Sequence, residues 1–326
     1  MHLRIAAFAL AVVTSAIPFC SRAAEAGSTY PAHPVKIVLS LPAGSAPDIR
    51  MRIVANQLTA LWGRQVVIEN RPGAGGALAV QSVLAAPPDG YTLLCAVSSV
   101  FTVLPAQRAD LPFDVNRDLI PVAMMANEGM VLAVSSKLGV RDLGGLIALS
   151  KSQPDRLIIG TNPAGSTPHL AARLFVSMSG SPMMVVPYSR GGTNEAIREI
   201  LAGRTHAVVE ARNALQPQID SGDLKALAIM TRERVSTAPD LPTAMETVPG
   251  LVAVGFVGIF AAKGTPDAIV QRLATSLLNA LAHPDVKARL EQNGSPFRPM
   301  FTAEFARFIE GEEKLWWPVV KAAGVN

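Results

Sequence analysis

The chain has 326 residues, of which 49% are hydrophobic and 17% are charged, and its formal net charge at pH 7 is +4. This composition is typical of a globular protein and excludes an intrinsically disordered chain. The weak positive charge is not gathered into a block, which argues against nucleic-acid binding and is compatible with a small anionic ligand.

The N-terminus carries a short basic start, an apolar run over residues 5–19 and small residues that end in Ala24-Glu25-Ala26. This pattern predicts a signal peptide over residues 1–26, and therefore export to the periplasm. Cleavage would remove Cys20 and leave Cys95 as the single cysteine, so no intramolecular disulfide is expected. Because the five histidines show no metal-binding spacing, neither a metal nor another cofactor is expected.

From Val35 onward, short apolar runs alternate with segments in which apolar residues recur at helical spacing. The runs cover residues 35–41, 65–70, 91–97, 156–160, 183–188, 207–211 and 224–230. Strands alternating with helices predict an α/β fold in which mostly parallel sheets are flanked by helices. The last seventy residues instead favour three helical segments.

One phrase occurs twice. "LPAGSAPDIRMRIV" (41–54) returns as "NPAGSTPHLAARLF" (162–175), each time between a β-branched run and a helical segment. Two such strand–loop–helix corners predict two similar lobes. We place the first lobe at residues 30–133 plus 250–326 and the second at 134–249, with the chain crossing near 131–136 and 231–250.

In the first corner, Ser45 to Asp48 fits an S-x-x-D capping box, in which Ser45 caps the helix and Asp48 reaches back to it. Gly44 permits the tight turn, and the free N–H groups at the helix start would form a cradle for an anion. The alternative, a helix cap without a ligand, is common for such patterns. The candidate residues are Gly44, Ser45, Ala46, Pro47 and Asp48 in the first corner, and Asn162, Gly165, Ser166, Thr167 and His169 in the second.

Further pieces, in order, carry a family resemblance, among them "ENRPGAGG", "PDGYTLL", "LPFDVNRDLIPVA" and "VPYSRGGTNEAIREILAGR". From about Tyr30 to Gly324 the sequence resembles the Bug (TctC-like) family, the periplasmic substrate-binding proteins of tripartite tricarboxylate transporters. The resemblance implies a two-lobed type II Venus-flytrap fold that closes on a small carboxylate, held by main-chain groups and ordered water. The two corners would then be the loops that hold the ligand, and permease subunits would be the partners. The protein would be a monomer.

The chain departs from that family at several positions. In the family's A-G-G-x-[TS]-D run, Ser45 replaces the second glycine and Pro47 the Thr or Ser. His206 and Glu210 stand where aspartates are usual. For Glu210 two roles remain open: a cleft residue that accepts from a ligand, or an acid that caps a neighbouring loop.

Two further candidates follow predicted strands. Ser98 would line the cleft, or else be an ordinary polar loop residue, and Arg190 would lie near a carboxylate, or else be a solvated surface charge. His169 is expected to orient its loop rather than to act as a base.

The leading interpretation is a non-enzymatic receptor for a small organic acid. One alternative is a sensor with the same fold. Another is a serine hydrolase using Ser45 or Ser166 with His169 and Asp48, against which the missing G-x-S-x-G motif argues. The sequence leaves the acid itself open, although few cationic residues near the corners argue against a tricarboxylate.

Overall fold

The computed structural model describes residues 30–108, 110–189, 191–292 and 299–322. The predicted signal peptide and Arg190 lie outside these residues. Within them, nine strands form one mixed sheet in the order β2-β1-β3-β9-β4-β7-β5-β6, and β8 also pairs with β4. The strands are β1 Val35–Leu39, β2 Val66–Asn70, β3 Thr92–Val97, β4 Leu119–Ser135, β5 Ile158–Thr161, β6 Met184–Pro187, β7 Ala207–Ala211, β8 Leu224–Ile229 and β9 Val254–Ala262.

Helices connect most of these strands and cover both faces of the sheet. The α-helices are α1 Ala46–Trp62, α2 Ala77–Leu84, α3 Ser99–Thr102, α4 Leu104–Gln107, α5 Val115–Asp118, α6 Leu143–Ser152, α7 Thr167–Ser179, α8 Gly192–Leu201, α9 Arg212–Asp220, α10 Asp267–Ala282, α11 Pro284–Gln292 and α12 Thr302–Ala322. Short 3-10 turns lie at Ala74–Gly76, Ser136–Leu138 and Ala244–Glu246. In the described ranges, no helix combines the length and apolar character needed to cross a bilayer.

All seven predicted strands are present, but the sequence did not indicate that β4 and β9 are strands. β4 contains Pro121 and several Ala and Met residues, which favour other structures, so its local preferences are mixed. Both strands are antiparallel to their neighbours, whereas β1–β3 and β5–β7 are parallel sets. The prediction of parallel strands therefore describes the outer part of each half, and the complete sheet is mixed.

The 17-residue strand β4 joins the two halves of the sheet. Up to Gly129 it pairs with β9, and from Met130 onward it pairs with β7 and β8. We call β4 and β9 the crossing strands. The lobe boundaries drawn from the sequence stay a prediction, and β4 runs through the proposed limit at residue 133.

The C-terminal helix α12 packs in both halves. Its Phe305 and Ile309 belong to a buried cluster with residues of β1 and β3, whereas Trp316 and Val320 belong to a cluster with residues of β5 and β7. Helix α12 therefore contributes to the buried core on both sides of the crossing strands.

Candidate functional site

The two repeated corners have the same backbone. We call residues 42–48 the first jaw and residues 163–169 the second jaw. Gly44 and Gly165 have φ values of +79° and +81°, in the left-handed region that favours glycine. Ser45 has φ −68° and ψ 156°, and Ser166 has φ −71° and ψ 156°. The shared P-A-G-S-x-P motif therefore forms the same type of turn twice, once after β1 and once after β5.

The hydrogen bonds of the first jaw differ from the predicted capping box. The Ser45 hydroxyl donates to the Pro42 carbonyl at 2.7 Å and makes no cap bond. Asp48 Oδ2 accepts from the Gly44 N–H at 2.9 Å, one residue before the position that a capping box requires. Asp48 is drawn there because Arg52 donates to the same oxygen and Asn70 donates to Oδ1, both at 3.0 Å. The capping-box prediction was therefore wrong for this corner.

Asp48 is an ionised brace inside the first jaw. Its side chain is buried, and burial by itself would raise the pKa of the carboxyl group. The hydrogen bonds from Arg52, Asn70 and the Gly44 N–H outweigh burial and hold the pKa of Asp48 below its ordinary value. Asn70 also donates to the Leu41 carbonyl at 3.0 Å, which ties the end of β2 to this loop.

The second jaw is braced by a neutral histidine. The Gly165 N–H donates to His169 Nδ1 at 3.3 Å, so this nitrogen carries no proton. Burial, and then the charge of Arg173, lower the pKa of His169 below its ordinary value of 6.5. Ser166 caps α7, because its hydroxyl accepts from the His169 N–H at 3.4 Å.

These bonds change the predicted anion cradle. The N–H groups of both glycines are used within the jaws by Asp48 and His169, so they are not available to a ligand. The N–H groups of Ala46 and Thr167, at the first position of each helix, have no hydrogen-bond partner among the described residues. They are the donors that a helix start offers to an anion.

Behind the second jaw, three side chains contact one another. Asn162 Nδ2 donates to Glu210 Oε2 at 2.7 Å, and the Thr193 hydroxyl contacts both Asn162 Oδ1 at 2.7 Å and Glu210 Oε2. Glu210 is buried, and its Oε1 accepts from the Ala211 N–H at 2.7 Å. Both oxygens of Glu210 are thus engaged by groups of the protein itself, as the loop-capping role requires.

Ser98 and Thr167 bring the two halves of the sheet together. The hydroxyl oxygens of Ser98, which follows β3, and Thr167, which begins α7, are 3.3 Å apart. Gly255 of β9 lies beneath this contact. A Cβ built on it would be 3.8 Å from Ser98 Oγ and 3.8 Å from Thr167 Cγ2. The second jaw therefore touches the end of β3 across the crossing strands.

A cavity of about 440 Å³ lies beside the crossing strands. Its lining includes Glu128 of β4, and the Glu128 carboxylate forms an ion pair with the buried Arg50 of α1. Arg212, also in the lining, donates to the Thr237 carbonyl at 2.9 Å. The cavity thus adjoins the helix of the first jaw, and the Glu128 and Arg212 side chains in its lining are held by protein groups.

The geometry argues against a serine hydrolase. The Ser166 hydroxyl accepts from a backbone N–H, and His169 Nδ1 faces the Gly165 N–H instead of a serine. The Ser45 hydroxyl donates to a carbonyl. A nucleophilic serine needs a base within hydrogen-bond distance, and neither serine has one here. Among the described residues, no group of His, Cys, Asp or Glu could hold a metal ion.

Several residues that shape the site were not indicated by the sequence: Arg50, Asn70, Glu128 and Thr193. Asn70 stands in the "ENRPG" piece and Thr193 in "RGGTNEA", but a single sequence does not show what either contacts. Arg52 and Arg173 stand at equivalent positions of the repeated segment, four residues after the brace of each jaw, and this repeat is a signal visible in the sequence.

The chain is similar to known receptors over nearly its full length. Residues 50–325 match the family model "Tripartite tricarboxylate transporter family receptor". The chain is 33% identical to protein BugT of Bordetella pertussis over 302 residues, which cover 91% of each protein.

Solved structures agree with this match. The R. palustris protein Rpa4515, solved with adipate, is 29% identical with a TM-score of 0.78, covering 91% of this chain and 99% of that one. MatC from Rhodopseudomonas palustris, solved with bound malate, is 27% identical with a TM-score of 0.72, covering 89% of this chain and 100% of that one. The family match begins at Arg50, just after the first jaw.

Proposed function

Because the chain belongs to the tripartite tricarboxylate transporter receptor family, we propose that it binds a small organic carboxylate between its lobes and delivers it to a transporter of that class. Proteins of this family are periplasmic solute-binding proteins, which are not enzymes. Adipate and malate in two similar structures support a carboxylate as the ligand class.

One observation supports the site above all others. Two jaws with matching backbone dihedrals each leave the first N–H of a helix without a partner, at Ala46 and at Thr167. A helix start attracts negative charge through its N–H groups and dipole. We propose that these two donors contact the carboxylate, with bridging water filling the remaining positions.

Closure of the lobes would trap the ligand. In this proposal β4 and β9 act as the hinge, and closure brings Thr167 against Ser98, at the separation of 3.3 Å seen here. In this proposal the jaw residues and Asn162 shape the clamp, Ser98 closes it, and Glu210 supports it. A contact between Arg190 and the carboxylate stays a prediction.

A single substitution tests the first donor. Ala46→Pro removes the N–H at the first helical position, where proline fits, and the ψ of 156° at Ser45 suits a residue before proline. The control Ala46→Gly keeps the N–H. A hydrogen bond to a charged group contributes about 1.5–3 kcal/mol, so Ala46→Pro should raise Kd at least about tenfold.

The measurement is calorimetry on residues 27–326, refolded to remove any carried-over ligand, with the acids chosen first in a thermal-shift panel. The panel contains malate, adipate, citrate and amino acids. A ligand at a hundred times its Kd adds about 2.7 kcal/mol to the folded state, a readily measured shift. Binding by Ala46→Pro as tight as by the wild type would contradict the proposed contact, and a panel without any shift would contradict carboxylate binding.

A further inference from the structure

Asn162, Thr193 and Glu210 form a ring in which each side chain contacts the other two. Asn162 donates to Glu210 Oε2, and the Thr193 hydroxyl oxygen lies within hydrogen-bond distance of two oxygens, Asn162 Oδ1 and Glu210 Oε2. A hydroxyl group has one hydrogen. If Glu210 were ionised, one of the two oxygen–oxygen contacts of Thr193 would have no hydrogen between its atoms.

A proton on Glu210 Oε2 removes this conflict. Glu210 then donates to Thr193, Thr193 donates to Asn162 Oδ1, and Asn162 Nδ2 donates back to Glu210. Each group gives one hydrogen and accepts one, so the ring is closed in one direction. Exchanging the Asn162 amide atoms does not help an ionised Glu210, because it would place Oδ1 against the carboxylate.

We propose that Glu210 is a positioning residue that holds a proton in the native protein, closes this ring, and thereby fixes Asn162 and the second jaw for ligand binding. The part that concerns affinity rests on the proposed function. The ring ties together three elements of the fold, since Asn162 follows β5, Thr193 lies in the first turn of α8, and Glu210 lies near the end of β7.

The packing around Asn162 leaves little freedom. Gly192 has a φ of +51°, and a Cβ built on it would be 3.1 Å from Asn162 Oδ1. This separation is shorter than ordinary van der Waals contact, so the backbone of α8 lies directly against the amide. The same built Cβ would be 3.8 Å from Pro163 Cδ, so α8 contacts both Asn162 and the first residue of the second jaw.

The surroundings of Glu210 favour its neutral form. Burial is the largest effect and raises the pKa of the carboxyl group, and the charge of Glu128 raises it further, against the hydrogen bonds of the ring. Arg212 donates to Thr237, and Glu195 accepts from the Gly191 N–H. The charged or titratable groups on elements packed against β7 are Glu128 on β4, His169 and Arg173 on α7, Glu195, Arg198 and Glu199 on α8, and Arg212 and Asp220 on α9.

The direction of the pH effect follows from this shift. A group whose pKa is raised in the folded state stabilises that state fully below its ordinary value, which is 4.5 for Glu210. This stabilisation is lost as the pH rises through the folded-state pKa. If binding needs the closed ring, Kd should rise about tenfold per pH unit above that pKa.

The first arm of the experiment needs no ligand. Infrared spectra of the unliganded protein at about pH 6 are compared between the wild type, Glu210→Gln and the control Glu195→Gln, and a protonated carboxyl band should disappear only in Glu210→Gln. Glu312, whose pKa burial raises to about 7, contributes a band common to all three proteins. Absence of a band that depends on Glu210 would overturn the proposal.

The second arm measures Kd by calorimetry from about pH 7 to about pH 9, where buried glutamates are known to titrate. The probe is malate, or adipate if only adipate shifts the melting temperature. We expect Kd to rise with pH in the wild type and in Glu195→Gln, and to stay constant in Glu210→Gln. A constant wild-type Kd would overturn the positioning role, even where the carboxyl band is present.

Thr193→Val is the second variant, and it tests the ring if Glu210→Gln does not fold. It removes the hydroxyl group that links Glu210 to Asn162 but keeps the Glu210 carboxyl group. The ring cannot close without this hydroxyl, so Kd at about pH 7 should rise about tenfold or more. Wild-type affinity in Thr193→Val would contradict the proposal. If neither acid binds any variant, the proposed function fails, while the infrared arm still decides whether Glu210 is protonated.

Discussion

The two jaws share a backbone but are braced by opposite kinds of chemistry. In the first, an ionised Asp48 is held by the half-exposed Arg52 and by Asn70. In the second, a neutral His169 occupies the equivalent position. The P-A-G-S-x-P motif determines the turn. The residue four positions after the glycine then determines whether a charged group or a neutral acceptor stabilises that turn. We therefore expect the first jaw to depend on an ion pair and the second to depend on a histidine that stays neutral.

The largest effect should come from the charged brace. Asp48→Ala leaves the Gly44 N–H and Asn70 without their acceptor and separates Arg52 from its partner. Because the Arg52 left behind is half exposed, the loss comes mainly from the Gly44 N–H and Asn70, which lose their acceptor, and we expect about 2–3 kcal/mol. Urea unfolding measures this loss. His169→Ala, in the neutral jaw, should cost less, and equal losses would contradict the difference between the jaws.

Alanine at either jaw glycine should cost a similar amount. Gly44→Ala and Gly165→Ala each place a side chain in the left-handed region, at φ values that differ by only two degrees. The expected loss is about 1–2 kcal/mol for each. Gly63→Ala, at the end of α1 with φ +61°, is a matched left-handed control outside the jaws. If either jaw variant were as stable as the wild type, the shared turn would not be required.

Acid should weaken the two jaws at different pH. A group with a lowered pKa stabilises the folded state above its ordinary value, and the effect is lost as the pH falls through the folded-state pKa. The contribution of His169 should therefore decline below pH 6.5 and that of Asp48 below pH 3.8.

Urea unfolding as a function of pH checks this. His169→Gln should remove the loss of stability that begins below pH 6.5. Asp48→Asn should remove the loss of stability that begins below pH 3.8. A pH dependence that neither substitution alters would show that other groups are responsible.

The smallest effect concerns the two serines. Ser166 caps α7 through a hydrogen bond of 3.4 Å from the His169 N–H. The Ser45 hydroxyl instead donates a hydrogen bond to the carbonyl of the exposed Pro42. Ser166→Ala should cost about 0.5 kcal/mol, the lower limit for a lost cap, and Ser45→Ala should change stability less. Thermal unfolding of both variants measures the difference, and a larger loss for Ser45→Ala would reverse the assignment.

The sequence by itself determined the features that depend on neighbouring residues. Alternating apolar runs and helical spacing predicted the α/β fold and seven strands, since these patterns follow from the periods of strand and helix. The repeated P-A-G-S-x-P phrase predicted two equivalent corners, because glycine at a left-handed position and proline in a first helical turn are local requirements.

Only the tertiary structure decided what each corner contacts. Asn70 reaches Asp48 because β2 pairs with β1, and Glu210 reaches Asn162 because β7 pairs with β5, at sequence separations of 22 and 48 residues. The same holds for β4, whose local preferences are mixed and whose strand form depends on β7, β8 and β9. Local spacing sets the turn of a chain, whereas strand pairing sets which distant side chains meet.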